Sequence, residues 1–287
     1  MAKNRNTVQI GNNIIGDGHP VSIVAELGVN HLGDFERAKE MIYAAHESGA
    51  DFLKFQTYIA SKRYDSTHNP KGKKFISTLK EWQFSREDDV KLWEYAHSIG
   101  AQVFTSPFDK DSLIFADSLG SLAYKVAAYE VVNHELLKVI ANTGKPVVIS
   151  RGMTTKEELD KCVEIFKEYG VNYVLLHCIS SYPTMHYDSN INMIHTLRER
   201  YNCPIGHSDH TRGTDIPPLA VAAGATMIEK HFTVNAKLRE SDNPFSITPD
   251  ELKELIWKVR RVETYMGSGK IDRIDTEKYM WDFRRHT

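Results

Sequence analysis

Eight short apolar runs punctuate this 287-residue chain, and stretches of helical periodicity separate most of them. The runs are Val21–Leu27, Asp51–Phe55, Ala101–Thr105, Leu122–Ala127, Pro146–Ser150, Val171–His177, Cys203–Gly206 and Ala225–Glu229. The helical stretches are Asp34–Glu47, Glu87–Ser98, Lys110–Leu119, Asn133–Asn142, Thr155–Tyr169, Ile191–Tyr201, Pro217–Ala223 and a last one over Pro249–Met266. Asp34 offers an N-cap, Gly49 a C-terminal stop, and Thr154-Thr155 ahead of Glu157-Glu158 a helix-start signal. Alternating strands and helices require a parallel sheet. Eight units in one chain predict a closed (β/α)₈ TIM barrel, which needs about 250 residues and so accounts for residues 1–287 as a single domain. A doubly wound sheet would carry a glycine-rich phosphate turn after its first strand, whereas this strand runs into Glu26-Leu-Gly-Val-Asn-His31. The segment Tyr58–Arg86 is read as a long loop, functional or mobile.

Composition narrows the partners. Net charge is −2, and the basic clusters Lys71/Lys73/Lys74 and Arg284/Arg285 read as solvated surface, so neither nucleic acid nor an anionic membrane is an expected partner. No apolar run approaches the roughly 18 residues of a membrane span, and MAKNRNTVQI lacks the apolar core of a secretory signal. Three cysteines without paired spacing fit a reduced, cytoplasmic protein.

In a (β/α)₈ barrel the chemistry gathers at the C-terminal ends of the strands. Here those ends read Glu26, Asn30 and His31; Lys54 and Gln56; Thr105 and Ser106; Lys125 and Glu130; Ser150 and Arg151; His177, Ser180, Ser181 and Tyr182; Ser208, Asp209 and His210; Glu229, Lys230 and His231. Converging so many polar groups is costly without a ligand to satisfy them. Lys54 and Lys125 with the hydroxyls of Ser106, Ser150 and Ser208 suit a phosphate or carboxylate. His210 and His231 end neighbouring strands, about 4.8 Å apart, and can share one divalent ion. Glu26, Glu130, Asp209 and Asp242 supply carboxylates for proton transfer or hydroxyl recognition.

The chain also resembles the N-acetylneuraminate (sialic acid) synthase family. The resemblance is carried by the run Ile14–His31 and by Lys54-Phe-Gln-Thr57, Thr105-Ser-Pro-Phe108, Ala123-Tyr-Lys125 and Ser150-Arg-Gly-Met153. It continues through Leu175-Leu-His-Cys178, Tyr182-Pro-Thr184, Gly206-His-Ser-Asp-His-Thr211, Glu229-Lys-His-Phe-Thr233 and Ser246-Ile-Thr-Pro249. It implies a barrel enzyme that condenses phosphoenolpyruvate with the open-chain aldehyde of an N-acetylmannosamine-like sugar, releasing phosphate and giving a 3-deoxy-2-keto nonulosonic acid. It further implies that Lys54, Ser106, Lys125, Ser150, Ser180 and Ser208 hold phosphoenolpyruvate, and that Glu26, Gln56, Tyr182 and Asp242 touch the sugar. His210 and His231 would hold a manganese or magnesium ion, and Glu130 would handle the proton of the added water; Glu26, Glu130, His210 and His231 make up the expected catalytic set. The sequence departs from the family at Ala127-Ala-Tyr-Glu130, where Gly-Ser-Gly-Glu is common, and at Ser180, where an asparagine is usual. Members commonly continue into a small antifreeze-like domain; the chain ends at Thr287, so the expectation is a barrel without it, open to homo-oligomer formation. Two other readings compete: a related synthase that makes an octulosonate or heptulosonate type acid from a phosphorylated sugar, and a non-catalytic ligand-binding barrel.

Overall fold

The computed structural model of the protein describes residues 7–64 and 70–285, leaving aside the side chains of 70, 71, 73 and 74. The lysine cluster Lys71, Lys73 and Lys74 therefore lies outside the described side chains, and both chain ends of the single-domain reading lie outside the described residues. Eight parallel strands close into a barrel: β3 (Ser22–Glu26), β4 (Phe52–Thr57), β5 (Val103–Pro107), β6 (Tyr124–Val126), β7 (Val147–Ser150), β8 (Tyr173–Cys178), β9 (Ile205–Asp209) and β10 (Met227–His231). Neighbours in sequence are neighbours in space, and β10 pairs with β3, His231 lying opposite Glu26. The outer layer is α1 (Phe35–Glu47), α3 (Arg86–Ser98), α4 (Lys110–Ser118), α5 (His134–Ala141), α6 (Lys156–Glu168), α7 (Met193–Arg200), α8 (Ile216–Ala222) and α9 (Pro249–Met266). The expected capping chemistry is present: Asp34 Oδ1 accepts from Arg37 N at 3.0 Å, and Thr155 with Glu158 forms a reciprocal capping box.

Two elements differ from the reading of the sequence. A hairpin of β1 (Val8–Ile10) and β2 (Asn13–Ile15) precedes the barrel and buries Val8, Ile10 and Ile15 against its lower interior. Its runs are too short to show a strand period, and only the barrel floor makes them pay in buried apolar area. The segment Tyr58–Arg86 is no plain loop, for it contains α2 (Pro70–Trp82). Phe75, Leu79 and Trp82 recur at helical spacing along it, and Leu79 packs with Val29, Tyr58, Ala60 and Phe108. The part of that loop reading covering 65–69 lies outside the described residues.

The core has two shells. Ile23, Ala25, Leu53, Val103, Tyr124, Ile149 and Leu175 face the helices, whereas Val24, Phe52, Phe104, Val148, Val174, Leu176 and Met227 fill the barrel interior. No helix among the described residues is long and apolar enough to cross a membrane.

Candidate functional site

Strand alternation carries the apolar interior directly into a polar floor. Two residues beyond Val24, Phe52, Phe104, Ala123, Val148, Leu176 and Met227 stand Glu26, Lys54, Ser106, Lys125, Ser150, Cys178 and Glu229, with Ser208 completing the ring on β9. Gln56, His210 and His231 form the next tier. All of these line one cavity of about 510 Å³ at the C-terminal mouth of the barrel, together with Tyr182 and Asp242. Apolar runs stop short of these residues, which explains why β9 and β10 extend further, to Asp209 and His231, than their hydrophobic stretches do.

At the floor, charge is balanced inside the protein. Lys54 Nζ lies 2.5 Å from Glu26 Oε2 and 3.8 Å from Glu229 Oε1, and donates to Ser106 Oγ at 3.3 Å. Lys125 Nζ donates to Glu229 Oε1 at 3.2 Å, and Ser208 Oγ donates to the same oxygen at 3.0 Å. Burial alone would raise the Glu229 carboxyl, but Lys125 and Lys54 hold it at about 2. Burial depresses Lys125; for Lys54 the same effect is outweighed by Glu229 and Glu26, so its pKa rises. The two lysines are thus paired cations, and Glu229 is the counter-ion that sequence reading left out of the site. Its signal was available, because Glu229 and His231 share a strand face by the two-residue period. Ser150 Oγ and Glu229 Oε2 are buried without a hydrogen-bond partner and open places for a ligand. Ser180, half-buried, does not line the cavity; its Oγ adjoins Gly152 (φ 38°), where an added Cβ would come within 2.5 Å of that oxygen.

On the opposite side, the His210 and His231 rings stand 5.5 Å apart between centroids, tilted by 58°. Burial holds His210 at about 4 and His231 well below its usual value, so both imidazoles are neutral. His210 Nδ1 lies 2.7 Å from the Ile179 carbonyl, which sets Nδ1 as the donor and leaves Nε2 with its lone pair. The Tyr182 ring packs 4.3 Å from His210, and His231 Nδ1, otherwise unpartnered, is 3.4 Å from Asp242 Oδ2. Two neutral imidazoles, one with its second nitrogen anchored, suit a divalent ion. No group of three or more protein ligands exists among the described residues, so substrate and water would complete the shell.

Gln56 links the two sides, donating Nε2–H to Glu26 Oε1 at 2.6 Å and accepting from Arg63 Nη2 at 2.8 Å. Gly28 (φ 52°) leaves the space beside Glu26, Gln56 and Asp242 open, since a Cβ there would sit 3.2–3.7 Å from all three side chains.

Two expected carboxylates are placed differently. Asp209 faces outward, where Lys230 Nζ meets Oδ2 at 2.5 Å and Thr211 Oγ1 donates to the same oxygen at 2.9 Å. Alternation forces this: Ser208 and His210 point inward, so Asp209 cannot. Glu130 is buried but stands behind the cavity lining, its Oε2 accepting from Asn133 Nδ2 at 2.7 Å; the preceding Tyr129 lines the cavity instead. His177 also faces away from the cavity, with Nε2 2.8 Å from the Ser189 carbonyl and its ring stacked on His207. Of the residues named from sequence, the barrel brings Glu26, Lys54, Gln56, Ser106, Lys125, Ser150, Tyr182, Ser208, His210, His231 and Asp242 around one cavity.

Comparison with known proteins matches this architecture. The NeuB family profile matches residues 41–271. An N,N'-diacetyllegionaminic acid synthase of Legionella pneumophila is 38% identical over 269 residues, covering 89% of this chain and 76% of that protein. A pseudaminic acid synthase of Campylobacter jejuni is 37% identical, covering 92% and 80% respectively. The solved structure of an N-acetylneuraminic acid synthetase from Leptospira borgpetersenii, in complex with citrate, superposes with a TM-score of 0.91 at 35% identity, over 98% of this chain and 96% of that one.

Proposed function

The chain belongs to the NeuB family, and from that premise we propose that it condenses phosphoenolpyruvate with the open-chain aldehyde of an unphosphorylated, N-acylated hexosamine. The observation that carries this reading is the division of one cavity into a lysine–serine floor and a neutral imidazole pair. The products are a 3-deoxy-2-keto nonulosonic acid and inorganic phosphate.

The balance is as follows. Carbon 3 of phosphoenolpyruvate bonds to the aldehyde carbon, and the aldehyde oxygen takes a proton. Water adds to carbon 2 and loses one proton; phosphate departs with the bridging oxygen as that C–O bond breaks, and the remaining hydroxyl proton passes to the departing phosphate as the carbon 2 keto group forms. Lys54 and Lys125 grip the phosphate and carboxylate by drawing them into competition with Glu229, while Ser106, Ser150 and Ser208 donate to their oxygens, with Ser180 at the edge. Glu26, Gln56, Tyr182 and Asp242 orient the sugar, and Glu130, behind Tyr129, takes the proton of the added water. His210 and His231 would hold a manganese or magnesium ion, which supplies Lewis-acid polarisation of the aldehyde when bound. Buried, unbridged Cys162, Cys178 and Cys203 fit a reducing, cytoplasmic setting.

The test is phosphate release from phosphoenolpyruvate and manganese with a panel of free and phosphorylated hexoses and N-acylhexosamines, products being weighed by mass spectrometry. Turnover with an unphosphorylated N-acylhexosamine is expected. Turnover confined to phosphorylated sugars would sink the reading.

A further inference from the structure

Among the described residues, a buried cation in the cavity wall has no task in the mechanism above. Arg63 follows the 3₁₀ turn Ala60–Lys62 after β4 and is only 8% exposed, yet it lines the cavity. Its guanidinium carbon lies 3.5 Å from the centre of the Phe108 ring and 4.9 Å from that of Tyr58. Nη2 is spent on Gln56 and Tyr64 adds a side-chain hydrogen bond, but among the described residues Nε and Nη1 are buried with no hydrogen-bond partner and no carboxylate is paired with the guanidinium. A buried guanidinium left in that state is costly unless a ligand completes it. Around it the cavity wall is apolar and aromatic: Tyr64, Phe75, Leu79, Phe108 and Tyr129, with the Phe108 and Tyr129 rings stacked at 5.8 Å.

The group that belongs here must accept hydrogen bonds and present an apolar surface beside the acceptor atom. An amide carbonyl with its acyl methyl does both, while a hydroxyl brings nothing to cover the rings. A phosphate fits worse, because Glu26 and Asp242 line this end of the cavity and Glu130 stands just behind it. The Arg63 charge already acts on Glu130 and Asp242, and a dianion would meet all three carboxylates.

We propose that Arg63 is the specificity-determining residue for the acceptor, its free N–H groups donating to the carbonyl of the N-acyl substituent while the acyl methyl lies against the Phe108 and Tyr129 rings. Through Gln56 the same side chain is tied to Glu26, so acyl recognition and sugar orientation share one hydrogen-bonded line. The inference rests on the condensation reading and adds to it the residue that reads the acyl group.

The test compares the wild-type chain with Arg63→Met and Arg63→Lys, using manganese, phosphoenolpyruvate and four acceptors: N-acetylmannosamine, a diacetamido-hexose, mannose and phosphorylated N-acetylmannosamine. Melting temperature and the KM for phosphoenolpyruvate serve as controls for folding and for the floor of the site. For Arg63→Met, kcat/KM for the N-acyl acceptors should fall roughly 10- to 100-fold, the range set by one charged hydrogen bond, and by clearly more than for mannose, which loses only the support that Arg63 gives Gln56. Arg63→Lys, which keeps the charge but not the fork, should lie between. Wild-type selectivity retained in Arg63→Met, equal losses on mannose and N-acetylmannosamine, or a loss confined to the phosphorylated sugar would each overturn the assignment. A wild-type chain that releases no phosphate with any acceptor overturns the condensation reading, and this inference with it.

Discussion

Lys230 Nζ and Asp209 Oδ2 meet 2.5 Å apart on the outer face of the barrel, behind the two strands whose inner faces present His231 and His210. Lys230 also donates to the Thr211 carbonyl, so one ammonium ties the end of β10 to the segment that carries His210. Burial would raise Asp209, but His207 and Lys230 outweigh it and keep the carboxylate ionised. The pair works as a brace for the imidazoles, outside the site itself.

Removing half of that brace leaves the other charge buried and alone. Lys230→Met or Asp209→Leu should each destabilise the protein by about 3–5 kcal/mol and weaken manganese binding, whereas the double replacement should recover much of the stability. Thermal unfolding and titration calorimetry on the three variants measure both quantities. Additive losses in the double variant would show that the two residues are not coupled.

The imidazole pair itself makes a stronger prediction. His210→Ala or His231→Ala should lower both metal affinity and turnover by more than the roughly 10- to 100-fold that loss of a supporting outer-shell group costs. Chelation should silence the wild type, and added manganese should restore it. Near-normal turnover in both variants would refute the metal assignment.

Glu130 is tested by a change that spares its structural contact. In Glu130→Gln the amide oxygen can still accept from Asn133 Nδ2, so α5 keeps its N-terminal anchor. Turnover should nevertheless fall at least about 100-fold, with phosphoenolpyruvate affinity unchanged, if the carboxylate takes the water's proton. An unchanged rate would reduce Glu130 to a buttress for the helix start.

A pH effect follows from His177, held at about 4 against an ordinary 6.5 by burial and by the neighbouring His207. Between those values the unfolded chain binds a proton that the folded one refuses. The stability it contributes is therefore complete above about pH 6.5 and is lost as pH falls toward 4. Melting temperature followed from pH 7.5 to 5 in the presence of chelator should decline, and the decline should be shallower in His177→Gln. Parallel curves would show that another group titrates.

Much of this protein was decided locally. Alternation of apolar runs and helical stretches already implied eight strands, and the capping residues marked where α1 and α6 begin. The two-residue strand period already placed Glu26, Lys54 and Lys125 on the same face as the apolar residues two positions before them, Val24, Phe52 and Ala123, and His231 on the face of Glu229. These are properties of neighbours in the chain, set by backbone geometry, and sequence carries them directly. The β1–β2 hairpin, the Glu229 counter-ion, the outward turn of Asp209, the retreat of Glu130 and the buried, unpartnered donors of Arg63 depend on which groups lie opposite once β10 has closed onto β3. Ion pairing and burial are set by distance in space, so only the closed barrel could decide them.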